Sequence, residues 1–193
     1  MNPVDARLRA AVRPLPFPWQ SGAETNAAVL VPFCTVNHEE CLVFTVRHHA
    51  LAQHAGQVSF PGGRCDNDLD PVACALRETH EEIGVARPNS TAFGHLGTRI
   101  SSSNYRVHCV VGRIQHANPQ DCDPHEVARL LIVPLRSLLQ LDRWHERQPT
   151  LAEAGRVYLP SPHFEVGNDL IWGLTGRFTY DLVTALQNGG TVP

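Results

Sequence analysis

Apolar positions along this chain follow two periods, and the switches between them mark out its elements. Residues 27–34 (AAVLVPFC) form an unbroken apolar run, the pattern of a buried strand. After a polar turn at 35–40, residues 41–47 (CLVFTVR) supply a second run, so the two predict an antiparallel pair. A short strand at 57–60 leads into Pro61-Gly62-Gly63. Further strands are predicted near 92–98, 106–114 and 127–133, with a short helix near 135–140 and a hairpin from 156–160 and 163–166. Residues 170–187 are apolar at helical intervals and predict a closing helix.

The sharpest helical signal covers 71–83. Asp70 is a good N-cap, Pro71 suits the first turn, and Gly84 suits the left-handed position that ends a helix. Val72, Leu76, Thr79 and Ile83 recur at helical spacing and predict an inward stripe. At the N-terminus, residues 3–12 predict a short helix with Asn2 as cap and Pro3 at its first position, followed by an extended linker at 14–20. Strands mixed with two main helices predict an α/β (α+β) fold. Its expected organisation is a helix and linker over 1–25, then a single domain over 26–190.

Composition narrows the function classes. The chain has 193 residues, an ordinary apolar fraction and a formal charge of −3, which gives no reason to expect a nucleic-acid or membrane partner. No apolar run approaches the ~20 residues of a membrane-spanning helix, and no secretory leader is visible. The six cysteines form no C-x-x-C pair and read as reduced thiols, so a cytoplasmic protein is expected.

One charged pattern needs a reason. In the predicted helix, Glu78, Glu81 and Glu82 fall within an arc of about 100°, away from the apolar stripe. Arg77 is too few to neutralise them. Alone, E-x-x-E-E reads as a solvated acidic face. Next to Gly62-Gly63, which permit close approach of backbone to a ligand, it reads as a metal and phosphate site.

The segment 62–85 (GGRCDNDLDPVACALRETHEEIGV) resembles the Nudix box, G-x5-E-x7-R-E-U-x-E-E-x-G-U with U apolar. Gly63, Arg77, Glu78, Glu81, Glu82, Gly84 and Val85 fall in register. Leu69 stands at the early glutamate and Thr79 at an aliphatic position; the acidic role at 69 is open to Asp68 or Asp70. The resemblance implies a Nudix α/β/α sandwich with a mixed sheet, and hydrolysis of a nucleoside diphosphate derivative with Mg2+ or Mn2+. It implies Glu78, Glu81, Glu82 and the Gly63 carbonyl as metal ligands. It also implies a catalytic set of Glu81, Glu82, Glu126 and Arg77, in which Arg77 orients a glutamate and either Glu81 or Glu126 is the base.

Upstream, 44–63 (FTVRHHALAQHAGQVSFPGG) is similar to the signature of the coenzyme A diphosphatase branch. Thr45, Arg47, Gly56, Phe60, Pro61, Gly62 and Gly63 match, while His48 and Ala52 replace a small residue and a second arginine. Segments 123–135 and 171–178 (IWGLTGRF) also resemble that branch. The implied small-molecule nucleotide substrate is coenzyme A or acyl-coenzyme A, contacted by Arg47, Gly62 and Gly63. The departures leave NADH or ADP-ribose as alternatives, and a nucleotide-sensing module as a third reading. The turn 101–105 (SSSNY) is expected to be an ordinary polar turn, Trp172 core packing and His80 exposed. Dimers are common among related folds, and a homodimer is compatible with the sequence.

Overall fold

The unbroken apolar run at 27–34 lies in the middle of a sheet with helices on both faces, which is why polar side chains are excluded from it. The computed structural model describes residues 3–50, 54–147 and 161–191. In chain order the elements are α1 (Pro3–Ala11), β1 (Thr25–Val36), β2 (Glu39–Arg47), β3 (Val58–Ser59), β4 (Gly62–Arg64) and α2 (Pro71–Ile83). There follow β5 (Ser90–Ile100), β6 (Tyr105–Ile114), β7 (Val127–Pro134), α3 (Leu135–Leu138), β8 (His145–Arg147), β9 (Ser161–Val166), β10 (Asp169–Ile171) and α4 (Gly173–Asn188).

Seven strands form one mixed sheet. β1 runs parallel to β6 along its length, and the other pairings are antiparallel. β1 and β2 pair only near their turn, from Phe33↔Leu42 to Val36↔Glu39. Beyond it they diverge. β4 pairs with β1 at Ala27–Val29 and β3 with β2 at Thr45–Val46, so Pro61-Gly62-Gly63 fills the gap between them.

Side chains alternate across the sheet with period two. On β1, Ala27, Val31 and Phe33 join the core shared with α1 and α4, while Ala28, Leu30 and Cys34 join the core under α2. Leu42, Phe44 and Val46 against Cys41 and Val43 repeat this on β2. Each such large side chain, fully buried, stabilises the fold by about 1.5–3 kcal/mol. The result is the expected α/β/α sandwich. The N-terminal helix shares the α4-side core through Leu8 and Ala11, and Asp5 pairs with Arg113 at 2.5 Å.

Several expectations shift at boundaries. Asn2, 156–160 and Ala52 lie outside the described residues. The strand expected at 163–166 pairs instead with β8 and β10 in a separate antiparallel sheet. The closing helix begins at Gly173, because 169–171 is the strand β10; Gly173, at φ +62°, breaks the chain between two apolar stretches that periodicity alone runs together.

Candidate active site

α2 forms where its caps demand. The Asp70 side chain accepts from Ala73 N–H at 2.8 Å, Pro71 opens the first turn, and Gly84 closes it at φ 71°. Leu76, Thr79 and Ile83 are buried as expected and Val72 is half-buried; Cys74 and Ala75 widen the inward face. Thr79 fits an aliphatic position because its hydroxyl donates to Ala75 C=O at 2.6 Å, leaving its methyl for the core.

The three glutamates do not share one exposed face. Glu81 is at the surface, its side chain 55 % exposed, and Glu78 is at 15 %. Glu82 is only 3 % exposed, so the acidic arc of the helical wheel is not evenly solvated. Helical period places Glu82 beside Glu78, but it cannot show that β4 and the loop before β7 close over that side. Asp123 N–H donates to Glu82 C=O at 3.0 Å and ties that loop to the helix end.

Burial decides the protonation of Glu82. Loss of hydration pushes its carboxyl up to about 8; Glu126 and Glu78 add to the rise, while Arg47 and the Gly62 amide oppose it. Its Oε2 is buried with no hydrogen-bond partner. Glu78 is also raised by burial, against Arg77 and with help from Glu81 and Glu126. Glu78, Glu82, Glu126, Arg47 and Gly62 thus feel one another's charge or dipole. A Cβ at Gly63 would lie 2.5 Å from the Glu78 carboxyl carbon, so only glycine lets that carboxylate reach the strand.

Arg77 is fully engaged by protein partners. Its Nε and Nη2 donate to Asp68 at 3.1 and 2.9 Å, and its Nη1 donates to Glu78 at 2.9 Å and Glu81 at 2.8 Å. Nη2 also donates to Arg64 C=O. Its contacts are those of a positioning residue, directed at Glu78 and Glu81. The same contacts distinguish the two acids that flank Leu69, which is 92 % exposed. Asp68 takes the acidic role toward Arg77, which holds its carboxyl below the usual range, and Asp70 is used as the helix cap.

A further tie leaves no mark in the sequence pattern. Trp19, on the linker after α1, donates its indole N–H to Asp68 C=O at 2.9 Å. Its ring meets His108 edge-on, and Phe17 stacks on His95 at 3.6 Å. Both histidines are buried, and loss of hydration lowers each to about 4.

Beside the carboxylates opens a cavity of about 870 Å3 on the α4 face of the sheet. Arg47, Gly62, Gly63 and Arg64 form its near side, and Arg99, Ser101–Ser103, Trp172, Thr175 and Arg177 its far walls. Among the described residues no aspartate or glutamate lines it. The 101–105 turn and Trp172 therefore border the cavity, beyond the turn and packing roles expected of them. His80 is exposed, as expected.

Hard carboxylate oxygens, an orphaned buried Oε2 on Glu82 and the adjacent Gly63 carbonyl suit a hard divalent cation. In this conformation the guanidinium of Arg77 holds Glu78 and Glu81, and among the described residues no three His, Cys, Asp or Glu side chains converge as a finished metal cage.

A mixed sheet between helices, with a glycine loop facing a glutamate helix, defines a class, and comparison with known proteins agrees. The NUDIX domain matches residues 24–154. The chain is 36 % identical over 172 residues to the mitochondrial coenzyme A diphosphatase NUDT8 of Homo sapiens, covering 87 % of this chain and 72 % of that protein. It is 34 % identical over 177 residues to the uncharacterized Nudix hydrolase NudL of Photorhabdus laumondii, covering 90 % and 92 %. A MutT/nudix family protein from Enterococcus faecalis shares the fold with TM-score 0.53 at 12 % identity, over 86 % of this chain and 64 % of that one. The chain belongs to the Nudix family, and it is a Nudix hydrolase of the diphosphatase type acting on small-molecule nucleotides. No helix among the described residues is long and apolar enough to cross a membrane.

Proposed function

We propose that the enzyme cleaves the diphosphate of coenzyme A or acyl-coenzyme A, giving 3′,5′-ADP and (acyl-)phosphopantetheine, with Mg2+ or Mn2+. The observation that carries this is the arginine-lined cavity beside the carboxylates, which no acid borders among the described residues; its 870 Å3 suits a nucleotide-sized anion. The similarity to a coenzyme A diphosphatase supports the choice among nucleotides.

Glu78, Glu82, Glu81 and the Gly63 carbonyl would hold the cation, which supplies charge neutralisation at the diphosphate and acidifies a bound water. The remaining work falls to this chain's own groups. Arg77 fixes Glu78 and Glu81, and Arg47 offers its buried, unpartnered Nε to a phosphate oxygen. Glu126 is the better-placed base: it is exposed and acts electrostatically on Glu78 and Glu82, whereas Glu81 is held by Arg77. Six unbridged cysteines support a reducing compartment and a cytoplasmic location.

A second reading, cleavage of NADH or ADP-ribose, is favoured by the departures at His48 and Ala52. The His48 ring is used locally, its Nδ1 accepting from Ala50 N–H at 3.1 Å. Purified protein with Mg2+ or Mn2+ is offered coenzyme A, acetyl-coenzyme A, NADH, ADP-ribose and nucleoside triphosphates, and products are identified. Coenzyme A turnover well above the rest is expected. Preference for another nucleotide overturns the substrate choice, and binding without turnover of any overturns catalysis.

A further inference from the structure

Four arginines line the cavity, and they differ in what they already hold. Arg47 lies under the electrostatic influence of the carboxylates, through Glu82. Arg99 is engaged: its Nη2 pairs with Asp181 at 2.6 Å and its guanidinium lies over Phe178. Arg64 is exposed at the rim. Arg177 is half-buried on α4 and has no hydrogen bond or ion pair among the described residues.

The geometry of α4 explains why Arg177 is uncompensated. Its natural neutralising partner is the acid one turn later, Asp181, at i+4. That carboxylate is taken by Arg99 from β5. The pair pins the end of β5, and so the Ser101–Ser103 turn after it, against α4. Ser103 contributes a buried Oγ that also lacks a partner. A cation without a protein partner and a buried hydroxyl without one border a cavity that no carboxylate lines among the described residues. Neither group is committed to another protein group, so both can turn to an anion in the cavity.

Their place in the fold separates them from the scissile site. Arg177 sits on the helix over one face of the sheet, and the glutamates sit on α2 over the other. The two meet a common ligand only through the gap filled by Gly62-Gly63. A nucleotide whose diphosphate lies at that gap, beside Arg47, extends along the cavity toward α4.

We propose that Arg177, with the Ser103 hydroxyl, forms a second anion subsite that reads a phosphoryl group separate from the scissile diphosphate, so that nucleotides carrying such a group are selected over those lacking it. This rests on the coenzyme A reading, in which that group is the 3′-phosphate. It also supplies a cation in a chain whose sequence has Ala52 in place of the signature's second arginine.

The test compares wild type, Arg177→Gln and Arg177→Lys. Binding of 3′,5′-ADP and 5′-AMP is measured by calorimetry in EDTA, which removes turnover and metal from the readout. Wild type is expected to prefer 3′,5′-ADP about tenfold, Arg177→Gln to bring that preference within about twofold, and Arg177→Lys to keep part of it. In kinetics, Arg177→Gln should lower kcat/KM for coenzyme A about tenfold more than for 3′-dephospho-coenzyme A. No preference in wild type, or one unchanged by Arg177→Gln, overturns the subsite. Coenzyme A turnover with an unchanged ratio sinks the subsite and leaves the substrate reading standing. An Arg177-dependent binding preference without coenzyme A turnover does the reverse.

Discussion

Glu82→Gln separates the stability of this site from its chemistry. In the metal-free protein the Glu82 carboxyl rises from 4.5 to about 8. The folded state therefore holds a proton between those values that the unfolded state has released. Stability contributed at this position is fully present below pH 4.5 and is lost as pH rises toward 8. At about 1.36 kcal/mol per unit, the loss approaches about 5 kcal/mol above pH 8 and is about 3 kcal/mol at pH 7. Glutamine removes the titration. Its buried amide carries a desolvation cost of its own, but that cost is independent of pH.

The assay is urea unfolding in EDTA at pH 4.5, 7 and 8.5, with linear extrapolation to water. The stability of Glu82→Gln relative to wild type should grow by about 3 kcal/mol between pH 4.5 and 7 and keep growing to 8.5. A difference that stays flat with pH refutes the burial argument. Adding Mg2+ should stabilise wild type more than the variant, because only wild type offers the full carboxylate set. Diphosphatase activity should fall at least about a hundredfold in a protein that is folded and, at neutral pH, no less stable.

Three further outcomes follow from the same contacts. Gly63→Ala puts a Cβ 2.5 Å from the Glu78 carboxyl carbon, so kcat should fall by about tenfold or more while circular dichroism stays native; unchanged kinetics refute the role of that approach. Trp19→Phe keeps the edge contact with His108 but loses the bond to Asp68, so stability should drop by about 1 kcal/mol and the midpoint for Mn2+ activation should rise a few-fold; an unmoved midpoint means the linker does not position Asp68 and Arg77. His95 and His108, lowered to about 4, stay neutral in the fold while the unfolded chain protonates near 6.5, so their contribution is lost as pH falls through that window, about 2 kcal/mol each by pH 5; a His95→Gln, His108→Gln double variant should lose less stability than wild type between pH 7 and 5, measured by urea unfolding.

What the sequence made legible was what depends on near neighbours. Asp70, Pro71 and Gly84 bound α2 because caps act within one turn. The run 27–34 declared a strand buried on both faces, and the sandwich followed. What stayed hidden depends on contacts far along the chain. Whether Asp68 or Asp70 answers for Leu69 is a matter of which carboxylate Arg77 reaches nine residues later. Arg177 carried no signal of its own, because its lack of a partner depends on Arg99 having taken Asp181.

The three glutamates show the same division. On a helical wheel they are equivalent, and repulsion is the only prediction the wheel makes. The fold makes them unequal. Glu81 stays in solvent and Glu78 is largely covered, both tied to Arg77. Glu82 is closed off by the gap-filling glycines and the loop through Asp123. The repulsion is relieved partly by one guanidinium and partly by a proton on the carboxyl least able to hold its charge. Both are replaceable: a proton leaves as a cation enters, and an arginine shared among three carboxylates can yield one. The crowded acids can therefore lie together because the buried member is neutral and the other two share a guanidinium.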